Sequence, residues 1–212
     1  MEGGTTAATK IDLTEDFREF YTAGRQPALI EIPTFSFLMV DGHGDPNVSV
    51  EYMQAVEALY SVSFTLKFGL KRGPQQLDYR VMPLEGLWWM PDMSQFSIER
   101  KADWDWTMMI RQPREVDEDL FEQGLAEATR KKELPAANLM RLESFSEGLV
   151  AQILHIGPYA AEGPTIERLH AFIFEQGYER AGKHHEIYLG DPRRTAPEKL
   201  KTVLRQPIAA RR

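Results

Sequence analysis

Hydrophobic residues recur along this chain with two different periods, and the two periods alternate from segment to segment. Apolar side chains at Tyr52, Val56, Leu59 and Leu66 follow the three-to-four-residue spacing of an amphipathic helix, which predicts a helix over residues 49–68. Other helices are predicted over 116–133 and 163–177. Short runs of branched and aromatic residues predict strands. These strands cover residues 28–33, 34–41, 78–82, 87–90, 103–112, 138–143, 148–156, 184–189 and 200–206.

Two local features complete this pattern. Residues 1–10 begin with a run of Gly, Thr and Ala and are predicted to form a flexible tail, after which Thr14 is predicted to cap a short helix with Phe17 on its apolar face. Residues 78–82 and 87–90 flank a Pro-Leu-Glu-Gly turn, which predicts that they pair as a hairpin.

The order of elements occurs twice. A strand ending in FLMVDGHGDP leads into a helix, and a later strand ending in ILHIGPYAAEGP does the same. The segments 108–113 and 202–207 then end their strands with a shared Arg-Gln-Pro. Two units this short cannot each cover a full core, so the repeat predicts one α+β domain built from two βαββ units related by a pseudo-two-fold axis. We expect a shared antiparallel sheet, helices packed on one face, and a ligand cleft along the axis.

Composition excludes several classes of function. The chain has 212 residues, all assigned to this one domain, with the first repeat at 34–113, the connector helix at 116–133 and the second repeat at 138–207. It contains no Cys, which excludes disulfide frameworks, iron–sulfur clusters and thiol catalysis. Its net charge of -7 argues against a general nucleic-acid or membrane binder. Without a signal-peptide pattern, we expect a cytoplasmic monomer or homodimer that binds small molecules.

Glu186 is the most informative residue. Period-two alternation in the strand His-Glu-Ile-Tyr-Leu places Glu186 and Tyr188 on one face, with Ile187 and Leu189 on the other. Two interpretations remain open at this point. Either that face is solvated and Glu186 is an ordinary surface acid, or Glu186 lies in an aromatic cleft where it attracts cations or acts as a general acid or base.

Tryptophan is concentrated in the first repeat. All four tryptophans of the chain, Trp88, Trp89, Trp104 and Trp106, lie there, close to several methionines. Core packing explains any one of them, whereas flat aromatic and adaptable methionine side chains together suit a site for large planar ligands. We therefore expect at least one of these rings to line a pocket.

No metal or cofactor site is predicted. The adjacent residues His184 and His185 point to opposite faces of a strand and cannot chelate one ion together. The His-Glu-x-x-His helix motif is absent, and Gly42-His43-Gly44 lacks the Lys and Ser/Thr of a phosphate-binding loop, which favours a turn.

Several segments together resemble a known family. The strand and loop Glu-Ile-Tyr-Leu-Gly-Asp-Pro-Arg-Arg-Thr at 186–195, the turn Ile-Gly-Pro-Tyr at 156–159 and the doubled βαββ layout are similar to the GyrI-like small-molecule-binding family. The resemblance implies two repeats of the SHS2 type. It also implies a multidrug-type binding domain, like the effector domains of multidrug-sensing regulators, in which a glutamate at the position of Glu186 meets planar, lipophilic and often cationic molecules for sequestration or sensing.

The resemblance also implies a second function and a third. Some stand-alone relatives are cyclopropanoid hydrolases, which open the cyclopropane of DNA-alkylating toxins with water; here Glu186 would be catalytic. Glu162 and Glu167, near the start of the second repeat's helix, are candidates for a second carboxylate by position alone and match no motif of the family. A protein–protein inhibitor is the third alternative, by fold analogy alone. The residues expected to line the cleft are Glu186, Tyr188, Trp88, Trp89, Trp104, Trp106, Tyr52, Tyr159, His155 and Phe172.

Overall fold

The strands of the two repeats join in one antiparallel sheet. The computed structural model of the chain describes residues 9–11, 17–95 and 97–211. Thr14, predicted to cap the first helix, lies outside the described residues. The strands are β1 Thr9–Ile11, β2 Ala28–Ile32, β3 Phe35–His43, β4 Leu77–Tyr79, β5 Leu84–Trp89, β6 Asp105–Gln112, β7 Arg141–Phe145, β8 Gly148–Ile156, β9 Tyr178–Arg180, β10 His184–Tyr188 and β11 Lys201–Ala210. The α-helices are α1 Arg18–Tyr21, α2 Val50–Arg72, α3 Glu118–Lys131 and α4 Gly163–Glu175.

The strand order shows the predicted two-fold relation. Within the described ranges, the large sheet runs β2-β8-β11-β10-β5-β6-β3-β7, with β9 on the end of β11. The order β8-β11-β10 of the second repeat is thus mirrored by β5-β6-β3 of the first, and the pseudo-axis passes between β10 and β5. The α+β fold class with a duplicated βαββ unit is confirmed.

One predicted pairing is wrong. Strand β4 does not form a hairpin with β5; it pairs in parallel with β1 in a separate two-stranded sheet. Strand β5 instead pairs with β6 and with β10. A central position in the large sheet stabilises β5 more than a hairpin with β4 would, because both edges of β5 are then hydrogen-bonded and its apolar residues are buried.

The helices cover the two halves of one sheet face. Ser49 caps α2 by accepting a hydrogen bond from the backbone N–H of Tyr52 at 3.1 Å, and the buried stripe of α2 packs on the first repeat. Helix α3 packs on α2, and α4 packs on β8 and β9 of the second repeat. None of the helices in the described ranges is long and apolar enough to cross a bilayer.

The opposite face of the sheet carries a buried network of charged side chains, which we call the rear network. Nδ1 of His185 lies 2.9 Å from a carboxylate oxygen of Glu147, and its Nε2 lies 3.0 Å from Glu85. Tyr21 of α1 donates to Glu85 at 2.8 Å, and Arg205 lies 3.6 Å from Glu147. The segment that contains α1 therefore closes the rear of the sheet over paired charges, while Phe17 and Phe20 pack on Phe35 beside them.

Candidate functional site

Glu186 lies at the centre of the sheet, on the face that carries α2 and α4. In register, it is opposite Gly86 of β5 and Leu204 of β11, so it stands beside the pseudo-axis where the two repeats meet. Glu186 is only 9% exposed. The interpretation of Glu186 as a solvated surface acid is therefore wrong, because the helices and aromatic side chains on this face remove it from water.

The neighbours of Glu186 on its own strand hold its carboxylate. The hydroxyl of Tyr188 donates a hydrogen bond to Oε2 of Glu186 at 2.7 Å, as expected for residues that alternation places on one face. Nε2 of the buried His184 lies 3.4 Å from Oε1 of Glu186. These contacts fix the orientation of the carboxylate across the cleft.

A second carboxyl group, that of Glu162, is buried at the start of α4. Glu162 occupies the N-cap position of α4 but makes no side-chain capping bond, and it is only 5% exposed. Its Oε1 atom is buried and has no hydrogen-bond partner. Burial, together with the negative charge of Glu186, raises the pKa of Glu162 to about 9. The carboxyl group of Glu162 is therefore protonated at neutral pH.

Aromatic rings form the walls of this cleft. The half-buried ring of Tyr52 on α2 stacks on Trp88 with centroids 6.1 Å apart, and Trp88 lies 5.5 Å from Trp104; both tryptophans are buried in the same core cluster as Trp106. Across the cleft, the rings of Tyr159 and Tyr188 meet edge to face at 5.4 Å. The half-buried tyrosines near Glu186 therefore come from both repeats, Tyr52 from the first and Tyr159 and Tyr188 from the second.

The close approach of Trp88 to the sheet depends on a glycine. A Cβ atom on Gly86 would lie 2.9 Å from Nε1 of Trp88, so a larger residue at this position would displace the indole. Nε1 of Trp88 is buried and has no hydrogen-bond partner. The indole thus offers an unused donor within the wall beside Glu186.

The tyrosine hydroxyls of the cleft remain protonated. Burial, with the charges of Glu162 and Glu186, raises the pKa of Tyr159 to about 12. Burial and the charge of Glu186 also raise the pKa values of Tyr52 and Tyr188. A protonated phenol can donate a hydrogen bond but cannot accept a proton, so these hydroxyls serve as donors.

Several residues expected in the cleft lie elsewhere. Trp89 is on the opposite face of the sheet from Trp88, as neighbours in a strand must be, and its ring lies 3.3 Å from Nζ of Lys183. Trp106 is 1% exposed and packs edge to face behind Tyr52, which makes it a core residue. We therefore leave both tryptophans out of the site.

Two residues of the second repeat have structural contacts instead. Nδ1 of His155 lies 3.0 Å from the hydroxyl of Thr165, and its Nε2 lies 3.3 Å from the carbonyl of Pro158, so its ring ties the turn before α4 to that helix. Phe172 packs against the core beneath α4. Neither side chain is needed to form the cleft.

Sequence reasoning did not separate Glu162 from Glu167 as the second carboxylate, and the structure does. Glu167 is exposed on α4, whereas Glu162 is buried within electrostatic range of Glu186. An acidic residue before a helix ordinarily indicates a cap, so nothing in the sequence distinguished Glu162 as a site residue. The only sequence feature that sets Glu162 apart is that it directly precedes Gly163 and Pro164, which begin α4.

The side chains around Glu186 are buried or half-buried. Two open cavities lie away from Glu186, one of about 470 Å³ beside α3 and one of about 270 Å³ with Trp106 in its lining. Among the described residues, no group of three or more His, Asp or Glu side chains is arranged to hold a metal ion.

Comparisons with known proteins agree with this architecture. A model of the GyrI-like small molecule binding domain matches residues 25–209. No curated protein matches the sequence significantly.

Solved structures provide the remaining comparisons. An uncharacterized conserved protein from Listeria innocua is 37% identical with a TM-score of 0.87, covering 94% of this chain and 100% of its own. A hydrolase from the same organism is 36% identical with a TM-score of 0.83 and the same coverage. The C-terminal domain of EcmrR is 12% identical with a TM-score of 0.55, covering 88% of this chain and 98% of that domain; it shares the fold.

Proposed function

Because the chain belongs to the GyrI-like small-molecule-binding domain family, we propose that it binds flat, lipophilic cations in the cleft at Glu186. The observation that carries this proposal is the carboxylate of Glu186, 9% exposed, which accepts a hydrogen bond from Tyr188 and lies within electrostatic range of Tyr52 and Tyr159. Removing a carboxylate from water is unfavourable unless a partner compensates it, and a cation supplies that compensation. Aromatic faces attract the same cation by roughly 0.5–2 kcal/mol, depending on desolvation.

The charge pattern also supports a cationic ligand over an anionic one. Glu162 and Glu186 bring two carboxyl groups to the centre of the cleft, and the protonated state of Glu162 leaves a single net negative charge there at neutral pH. An arriving cation stabilises the ionised form of both groups. We therefore expect cation binding to release a fraction of a proton from Glu162 near neutral pH.

We expect Glu186→Gln to weaken the binding of a planar cation by about 1–3 kcal/mol, or roughly 5- to 150-fold, because a charge-assisted contact is lost. A neutral ligand of the same shape should lose much less affinity. The thermal stability should stay unchanged or rise, since a carboxylate that is only 9% exposed is replaced by an uncharged group of the same shape. The measurement is a fluorescence titration with rhodamine 6G and with a neutral planar dye, and a melting curve for each protein.

Glu167→Gln is the matched control, because it removes the same charge from an exposed position on α4. Its affinity for the cation should stay within about twofold of that of the wild type, as expected for a screened surface charge. Equal cation affinities of the wild type and the Glu186→Gln variant would contradict the proposed site.

The arrangement of Glu162 and Glu186 favours a second candidate function, hydrolysis of a strained electrophile such as an activated cyclopropane in a DNA-alkylating toxin. A protonated carboxyl and a carboxylate in one cleft are the two groups that general acid–base catalysis requires. Water would add to a ring carbon as the strained C–C bond breaks, and Glu186 would accept the proton of the water. Glu162 would donate a proton to the carbonyl oxygen that receives the electron pair. The net reaction is addition of one water.

Mass spectrometry of a cyclopropane-bearing alkylator incubated with the protein distinguishes the two functions. Hydrolysis predicts a product heavier by one water, and a decrease in turnover of at least about 100-fold in Glu162→Gln, within the range attributed to one general acid. Glu167→Gln should retain the turnover of the wild type. Saturable binding with an unchanged ligand mass would contradict the hydrolase function and leave the binding function in place.

A further inference from the structure

Aromatic rings continue from the cleft along the outside of α2. Tyr60, Phe64 and Phe68 follow one another at four-residue spacing, which places them on one side of the helix. The rings of Tyr60 and Phe64 lie 6.4 Å apart at 26°, and those of Phe64 and Phe68 lie 6.4 Å apart at 25°. The three nearly parallel rings form a continuous surface, which we call the aromatic row.

The inner end of the aromatic row borders the candidate site. Tyr60 is half-buried and lies within electrostatic range of Tyr52 and Tyr159. Burial is the main cause of the raised pKa values of Tyr52 and Tyr159, and Tyr60 contributes to the rise. Asp191 and Arg193 of the loop after β10 face Tyr60 as well. The aromatic row therefore begins at the walls of the cleft, beside a loop at its rim.

The outer end of the aromatic row is open to solvent. Phe64 is 44% exposed and Phe68 is 42% exposed, although apolar rings of this size gain from burial. Nζ of Lys67 lies 5.8 Å from the ring centroid of Phe68, and the guanidinium carbon of Arg72 lies 5.4 Å from it. Because Nζ of Lys67 is ion-paired with Asp78 at 2.6 Å, Arg72 supplies the positive charge at the outer end, whereas the carboxylate of Glu186 lies beyond the inner end.

We propose that the aromatic row is an outer subsite that binds the flat, uncharged end of an elongated ligand whose cationic end reaches Glu186. The inference rests on the proposed function, since the inner end of the ligand occupies the cleft described above. Tyr60 and Phe68 are eight residues apart, so the row extends about 12 Å along the helix. The charge of Arg72 repels a second cation at the outer end. The preferred ligand is therefore a long monocation with a second ring system, rather than a long dication.

Three synthetic probes separate these features: N-methylquinolinium, a quinolinium joined through a decyl chain to naphthalene, and a bis-quinolinium with the same chain. We expect the wild type to bind the naphthyl monocation about tenfold more tightly than the other two, a size typical of aromatic pairing. The double variant Phe64→Ala/Phe68→Ala should lose about tenfold in affinity for that monocation and stay within twofold for N-methylquinolinium.

Phe174→Ala is the matched control, because Phe174 is an exposed phenylalanine on α4, 63% accessible. It should bind all three probes as the wild type does. Unchanged affinity of the double variant for the naphthyl monocation would overturn the outer subsite, while Glu186-dependent binding of N-methylquinolinium would still support the proposed function. Absence of saturable binding by every probe would overturn both.

Sedimentation of the wild type and the double variant tests whether a second copy of the chain, rather than a ligand, covers the aromatic row. We expect both proteins to have the same oligomeric state across the concentrations of the titrations. A dimer that the double variant loses, with unchanged affinity for the probes, would assign the aromatic row to contact with a second copy of the chain and overturn the subsite.

Discussion

At alkaline pH, Glu162→Gln should melt at a higher temperature than the wild type, whereas the two proteins should melt alike near pH 4.5. An unfolded glutamate titrates near pH 4.3, but burial and the charge of Glu186 raise the pKa of folded Glu162 to about 9. Between these values the unfolded chain releases a proton that the folded protein retains. The free energy of unfolding of the wild type therefore falls by up to about 1.4 kcal/mol for each pH unit over this window. Glutamine has no proton to lose, so the variant lacks this decline.

Melting curves from pH 4.5 to 9 measure the effect, and Glu167→Gln again serves as the control. Glu167 is exposed on the same helix, so its variant should stay at a constant offset from the wild type across the pH range. The gap between Glu162→Gln and the wild type should instead widen as the pH rises. Parallel curves for these two proteins would mean that Glu162 is ionised in the folded state and is not the protonated member of the pair.

The local part of the site was readable from the sequence. Alternation within a strand is fixed by backbone geometry, so the shared face of Glu186 and Tyr188 followed from their spacing alone. The same rule separates Trp88 from Trp89. It does not say which face of the sheet the helices cover, and for that reason the sequence left Trp89 among the expected cleft residues.

The long-range part was not readable. The partner of β4 is β1, and no local signal distinguishes this parallel pairing from a hairpin with β5. Internal repetition did better, because two similar halves of one chain must occupy equivalent positions if they share a sheet. The repeat placed the pseudo-axis correctly and predicted a cleft there. It did not show that Glu162 lies near Glu186, because Glu162 is positioned by the start of a helix and Glu186 by a strand.

The rear network shows the same limit. His185 meets Glu85 and Glu147, which are distant in sequence, and a histidine in a strand has no pattern that predicts such partners. Burial alone would lower the pKa of His185, but the charge of Glu147 and the contacts with Glu85 outweigh it and raise the pKa to about 9. The histidine is thus a buried cation between two buried carboxylates, directly behind Glu186 on the other face of β10.

Replacing His185 should lower the free energy of unfolding more than any other substitution considered above. His185→Leu leaves Glu85 and Glu147 buried without their shared partner, and breaking a buried ion pair in this way costs about 3–5 kcal/mol. Chemical denaturation at pH 6 measures the loss. His43→Leu is the matched control, because His43 also contacts a carboxylate, that of Asp105 at 2.8 Å, but its side chain is 62% exposed. That exposed pair should contribute no more than about 1 kcal/mol.

The pH dependence gives the rear network a second signature. Because the pKa of His185 is raised on folding, its stabilisation is complete below the unfolded value of about 6.5 and is lost as the pH rises through about 9. His185→Leu should lack that loss, so its deficit against the wild type should shrink between pH 6.5 and 9. Adding Glu147→Gln to His185→Leu should restore part of the lost stability, since one unpaired carboxylate is then removed. A deficit that is independent of pH and unaffected by Glu147→Gln would show that the leucine only disrupts packing, and that His185 is not the cation of the rear network.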